Sequence, residues 1–109
     1  MTTAIVIALK AGGVVIQNDY AKNFGPKLLA ANFQKITDLS TYTPMAGDIT
    51  VYDGNSSHTS GHIQMYTGQQ WTSDWYQGLA RLDPTYAFGG SGFQPYSSTI
   101  YRYAGPIVN

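Results

Sequence analysis

The hydrophobic pattern changes period once along this chain, and that change limits the folds open to it. Up to about residue 36 the apolar residues mostly follow helical spacing. Ala4, Ile5, Ala8 and Leu9 recur at i, i+1, i+4 and i+5, which predicts a helix over residues 2–11 capped by Thr2 or Thr3. Gly12-Gly13 supplies its stop, and Val14-Val15-Ile16 is too short to be more than an extended link. The β-branched run Ile5-Val6-Ile7 leaves a buried strand as the alternative for the first segment. Asn18 or Asp19 can cap a second helical stretch with Tyr20, Phe24, Leu28 and Leu29 on one face. Gly25-Pro26 interrupts that stretch and predicts a fresh start that runs to Asn32. Residues 33–36 alternate and read as a strand.

After a run of turn-formers over residues 37–46 the period becomes two. Residues 48–53, 62–66 and 70–75 alternate and are closed by Gly54-Asn55 and Thr67-Gly68, which predicts consecutive antiparallel strands with short loops. Residues 79–94, rich in Gly, Pro and Asp, read as a long loop, and residues 99–103 as a last strand. Helices first and strands after predict an α+β fold: two or three short helices on an antiparallel sheet of four to six strands. No repeat or linker divides the chain, so residues 1–109 are expected to form a single domain.

Composition narrows the chemistry. The 109 residues include no cysteine, which excludes a disulfide scaffold, a thiolate zinc site and a cysteine nucleophile within the sequence as it stands. Six Lys+Arg balance six Asp+Glu, so no basic excess favours nucleic acid. Charged residues make up 11%, leaving a surface of neutral polar groups and tyrosine. The apolar start is too short for a membrane span and carries its positive charge, Lys10, after the apolar run, unlike a signal peptide. Two histidines and scattered Asp show no metal-ligand spacing, and Gly89-Gly90-Ser91-Gly92 lacks the lysine of a phosphate loop. No metal or cofactor is expected.

The candidate catalytic pair is His62 and Asp74. His62 opens one predicted strand, and Asp74 lies twelve residues on, at the same end of the next. Opposite residues of an antiparallel pair stand about 5 Å apart, so a suitable register permits an imidazole–carboxylate hydrogen bond. That bond fixes the tautomer and raises the basicity a general base needs. The plainer reading is a surface histidine and a turn acid; His58 lies in a polar loop. Trp71, Trp75 and Tyr66, with Tyr76 beside them and Tyr52 on the preceding strand, are candidate substrate-binding aromatics. Packing is the commoner role for such residues, for Trp71 above all.

The stretches Ala46-Gly-Asp-Ile-Thr-Val-Tyr, Gly61-His-Ile-Gln-Met-Tyr66 and Trp71-Thr-Ser-Asp-Trp75, with Gly68 and Gln77, resemble the papain-like peptidoglycan amidases and endopeptidases of the NlpC-like and CHAP type. The likeness is closest to phage-borne and secreted-effector branches. It covers residues 46–77 well. Ala8-Leu-Lys-Ala-Gly-Gly13, with Asp19-Tyr-Ala and Leu28 behind it, is similar to the family's nucleophile helix. The resemblance implies cleavage of an amide bond in cell-wall peptide stems by acyl transfer through a thioester. It implies His62 as base and then acid, Asp74 as the residue that orients it, and backbone N–H groups at the first helix start as oxyanion hole. It implies no cofactor, wall peptide as substrate, and an inhibitor or immunity protein as a further partner. It also implies action at the bacterial wall, whether the protein is secreted, periplasmic or phage-delivered.

The family's nucleophile is a cysteine about seven residues before the Ala of the Ala-Leu-x-Ala-Gly-Gly stretch. Counting back from Ala8 reaches Met1, whose thioether has no ionisable proton. The sequence then begins at or just after the nucleophile, or has lost catalysis and kept the groove, or has recruited Thr2 or Thr3. The expectation for this chain is weak binding of wall peptide and little or no hydrolysis. The alternative is a non-catalytic wall-binding module or a structural interaction protein.

Overall fold

In the computed structural model, residues 3–54, 59–72 and 98–105 are described. Helix α1 spans Thr3–Ala11, and after a link a 3-10 turn, Ala21–Asn23, leads into α2, Phe24–Ala30. Five strands follow: β1 Phe33–Ile36, β2 Ile49–Tyr52, β3 His62–Tyr66, β4 Trp71–Thr72 and β5 Ser98–Tyr103. They form one antiparallel sheet in the order β1-β5-β2-β3-β4. The fold is α+β, as the change of period predicts.

Each helix buries an i, i+4 pair: Ile5 with Leu9 on α1, Phe24 with Leu28 on α2. Ala4 and Ala8, expected on the same face, are exposed. The Gly12-Gly13 stop closes α1 as a Schellman turn. Gly13 takes φ +92°, Val14 N–H donates to the Leu9 carbonyl at 2.8 Å, and Gly13 N–H donates to that of Lys10 at 2.9 Å. The link over 14–20 has no regular secondary structure, with Val15 exposed and Ile16 buried.

The capping expected of Asn18 or Asp19 does not occur. Tyr20 is the residue before the 3-10 turn and makes no side-chain capping bond. Asp19 Oδ1 instead accepts its neighbour Tyr20's N–H at 2.6 Å and the Asn23 amide at 3.1 Å, and Lys27 pairs with the same carboxylate at 3.5 Å. The side chain is spent on local bonds and on α2. Gly25 and Pro26 fall within the first turn of α2, where the missing proline N–H breaks no helical bond. Gly25 is also where the helix meets the sheet: a Cβ there would stand 2.6 Å from Tyr101 Oη.

The helices cover one face of the sheet. Ile5, Leu9, Ile16, Ala21, Phe24 and Leu28 pack with Phe33, Ile49, Val51, Ile63 and Tyr101 in a single cluster. Because alternate strand residues point to opposite faces, the intervening residues of β2, β3 and β5 define the other face. All four residues of β2 are buried, so both faces of this central strand are covered. The long loop expected over 79–94 and the continuation of β4 through residues 73–75 lie outside the described residues.

Candidate functional site

The second face of the sheet carries the polar and aromatic residues in three rows set by register. Ser98, Tyr52 and His62 form one row, Ile100, Thr50 and Gln64 the next. One further step along the strands brings Arg102, Asp48 and Tyr66 into line. Tyr66 pairs in turn with Trp71. The interior here is not oil: Asp48, Thr50, His62 and Gln64 are all buried. A buried polar group is costly unless it is bonded; Asp48 and Gln64 are bonded, while Thr50 Oγ1 has no hydrogen-bond partner among the described residues.

His62 enters through a sharp backbone turn. Gly61 takes φ +75°, and a Cβ on it would collide with the Tyr52 carbonyl oxygen and reach 3.0 Å from Lys22 Cβ and N. Lys22 N–H donates to the Ser60 carbonyl at 2.9 Å, tying the 3-10 turn to the same corner. Glycine is therefore required before the histidine for two reasons, its left-handed φ and the close approach of two other backbones. His62 is 3% exposed. Its ring lies beside that of Tyr52, its register partner, with centroids 5.6 Å apart and planes at 41°. Gln64 Nε2 donates to Tyr52 Oη at 3.3 Å. An imidazole so placed is the side-chain type that takes and returns a proton near neutral pH.

At the other end of the face stands a charged cluster. Arg102 donates from Nε to Asp48 Oδ1 at 2.9 Å and from Nη2 to Oδ2 at 2.8 Å, a bidentate pair. Oδ2 also accepts the Tyr42 hydroxyl at 2.6 Å and the Met45 N–H at 3.0 Å. A second Nη2 bond, 2.9 Å to the Thr43 carbonyl, fastens the 37–47 loop to β5. Burial pushes the Tyr42 phenol well above its ordinary value, and its bond to the Asp48 carboxylate adds to this. The same carboxylate raises Arg102 further. This cluster holds the loop and the sheet together.

Of the residues expected at a site, the structure brings His62, Tyr52, Tyr66 and Trp71 onto one face. Tyr66 and Trp71 pack with tilted rings, their centroids 5.2 Å apart and planes at 55°. Trp71 and Tyr52 have no exposed surface, so their part is to support neighbours from within; Tyr66 is half-buried and retains surface. Met1, His58, Asp74 and Trp75 lie outside the described residues. Sequence reasoning missed Gln64, Arg102 and Tyr42. Arg102 had a signal, a lone charge between two tyrosines near the end of a strand; Gln64 had a weaker one, an amide between Ile63 and Met65. Among the described residues no three His, Cys, Asp or Glu side chains converge as a metal site needs. No helix there is long and apolar enough to cross a membrane.

No protein-family model matches the chain, and no curated protein does. Solved structures do match. A chain in the crystal structure of the native type VI effector–immunity complex Tae3–Tai3 from Ralstonia pickettii aligns at 30% identity and a TM-score of 0.67. The alignment covers 93% of this chain and 80% of that one. The selenomethionine form of that complex aligns at 30% identity and a TM-score of 0.70, over 91% and 81%. With identity at that level sustained over nearly the whole fold, this chain belongs to the same family as the matched member of the Tae3–Tai3 effector–immunity pair.

Proposed function

We propose that the chain is an effector-side member of this family, built to act on amide bonds in the peptide stems of bacterial cell wall. In this reading His62 is the general base and then the acid, and Asp74 orients its imidazole. The chemistry is acyl transfer of the Cys-His-Asp type, in which a thiolate at the start of the first helix attacks the amide carbonyl. Met1 stands where that thiolate is expected. A thioether has no proton to give up, so the chain as it stands binds wall peptide and turns it over poorly or not at all. Tyr66 and Trp75 offer rings to the substrate, while Trp71 lies behind Tyr66 and Tyr52 beside His62. The observation that carries the reading is the buried His62 behind a left-handed Gly61, opposite Tyr52, in a chain 30% identical to a member of an effector–immunity complex. The same relationship supports an immunity protein as partner and a periplasmic or secreted setting.

The test uses purified peptidoglycan sacculi and chromatography of the released fragments. The parent chain is expected to sediment with sacculi and release nothing above buffer. Met1→Cys behind a short N-terminal extension is expected to release cross-link or stem fragments, and His62→Ala in that background to abolish the release. A folded Met1→Cys variant with no gain would overturn the hydrolase reading. The absence of cysteine from the chain favours a second reading, a binding module without catalysis, for which sedimentation without any gain is the expected pattern. Failure to sediment at all would overturn both readings.

A further inference from the structure

The aromatic ring opposite His62 is fully buried, which removes Tyr52 from direct contact with any substrate. Its surroundings assign it another part. Tyr52 and His62 are register partners at the end of two central strands, and their rings are tilted against each other at 5.6 Å. Gln64, two residues along β3 on the same face and 1% exposed, donates its amide to Tyr52 Oη at 3.3 Å. That donation occupies a lone pair of the phenol oxygen, so the hydroxyl proton is turned away from Gln64 and the rotation of the ring's polar end is limited. A buried glutamine and tyrosine at neighbouring cross-strand positions cost more to desolvate than two aliphatic residues of similar size. Here they are bonded to each other, and the bonded ring is the one against the imidazole. We propose that Tyr52 and Gln64 act as a pair of positioning residues that hold the His62 imidazole in one orientation.

That His62 is a general base rests on the reading given above; that its ring is held by Tyr52 does not. The groups that face the imidazole among the described residues are few. Tyr52 comes from β2, Gln64 follows on its own strand, and Lys22 lies beside Gly61 from the 3-10 turn with its side chain exposed. In a dry interior a hydroxyl dipole acts on a neighbouring ionising ring with little screening.

The experiment is a nitrogen-15 NMR titration of the two imidazoles in the full chain, with His58→Asn to separate the signals, in the parent, Tyr52→Phe and Gln64→Met. Tyr52→Phe keeps the ring and removes one oxygen; Gln64→Met keeps length and removes the donor. Each is expected to move the His62 titration midpoint by about half a pH unit or more, the scale on which a removed neighbouring dipole in a dry interior registers, and to change its tautomer balance. A folded Tyr52→Phe variant whose His62 midpoint and ring shifts match the parent's would overturn the proposal, leaving only packing, even if its melting temperature falls. If Gln64→Met does not fold, Tyr52→Phe alone decides. No substrate or nucleophile enters the measurement, so a negative result on sacculi leaves this one intact, and the converse holds.

Discussion

Gly61 shows how one residue can be demanded twice. Its positive φ is open to glycine at little cost, and the space where a side chain would begin is taken by the Tyr52 carbonyl and by Lys22. Gly61→Ala is therefore expected to lower stability by about 3 kcal/mol, from backbone strain and overpacking together. Chemical denaturation would read this directly. A loss below about 1 kcal/mol would mean that the 3-10 turn gives way easily and that the histidine corner is softer than it looks. The sequence makes Gly61 visible as the first member of a Gly-His-Ile stretch, yet it does not say why glycine is needed. Part of the reason lies in Lys22, thirty-nine residues earlier in the chain, and no local pattern announces a contact of that range. Gln64 illustrates the same limit: its side chain is polar by identity but buried by position, and only the register with β2 shows that Tyr52 is there to accept its bond.

At the level of elements, the period of the apolar residues located both helices and the described strands to within a few residues. Periodicity works for them because each has one face against a shared core. It fails where a polar side chain decides the local geometry, as with Asn18 and Asp19, whose oxygens are taken by adjacent N–H groups instead of a helix start. It fails also for sheet order, because nothing in the alternation of residues 99–103 says that this strand lies between β1 and β2. The seam between α2 and β5 offers a sharp test. An alanine at position 25 should favour the isolated helix by about 1 kcal/mol, but its Cβ would fall 2.6 Å from Tyr101 Oη. Gly25→Ala is expected to be net destabilising by about 1–2 kcal/mol, with Tyr101→Phe in the same background restoring much of the loss. A gain in stability from Gly25→Ala alone would show that the seam opens without penalty.

The whole molecule carries a pH signature at the alkaline end. Tyr42 is held protonated in the fold above its ordinary value of 10.0, first by burial and then by donation to the Asp48 carboxylate. Its contribution is fully present below the unfolded value near 10 and is lost as pH rises through the folded one. Tyr101 is raised as well, by burial. Thermal melts from pH 7 to 11 should show the parent losing stability from about pH 10, more steeply than Tyr42→Phe, and the two curves should converge as pH rises. Parallel curves would show that the loop over residues 37–47 does not depend on this phenol. On the second face of the sheet, the sequence had singled out His62, Tyr52, Tyr66 and Trp71 by their spacing and by family likeness. The Arg102–Asp48–Tyr42 cluster, which joins residues 54 and 60 apart in the chain, was hidden by that separation.

The placing of β5 has a consequence for how the protein comes into being. The last strand of the described chain is the only bridge between β1 and β2, so on a ribosome that has not yet delivered residues 98–103 the sheet has a gap through its middle. The pairing with β1 spans some seventy residues (Phe33 meets Tyr103), the kind of distant contact that slows folding. A nascent chain of this design keeps its sheet open until residues 98–103 have emerged to fill the gap between β1 and β2.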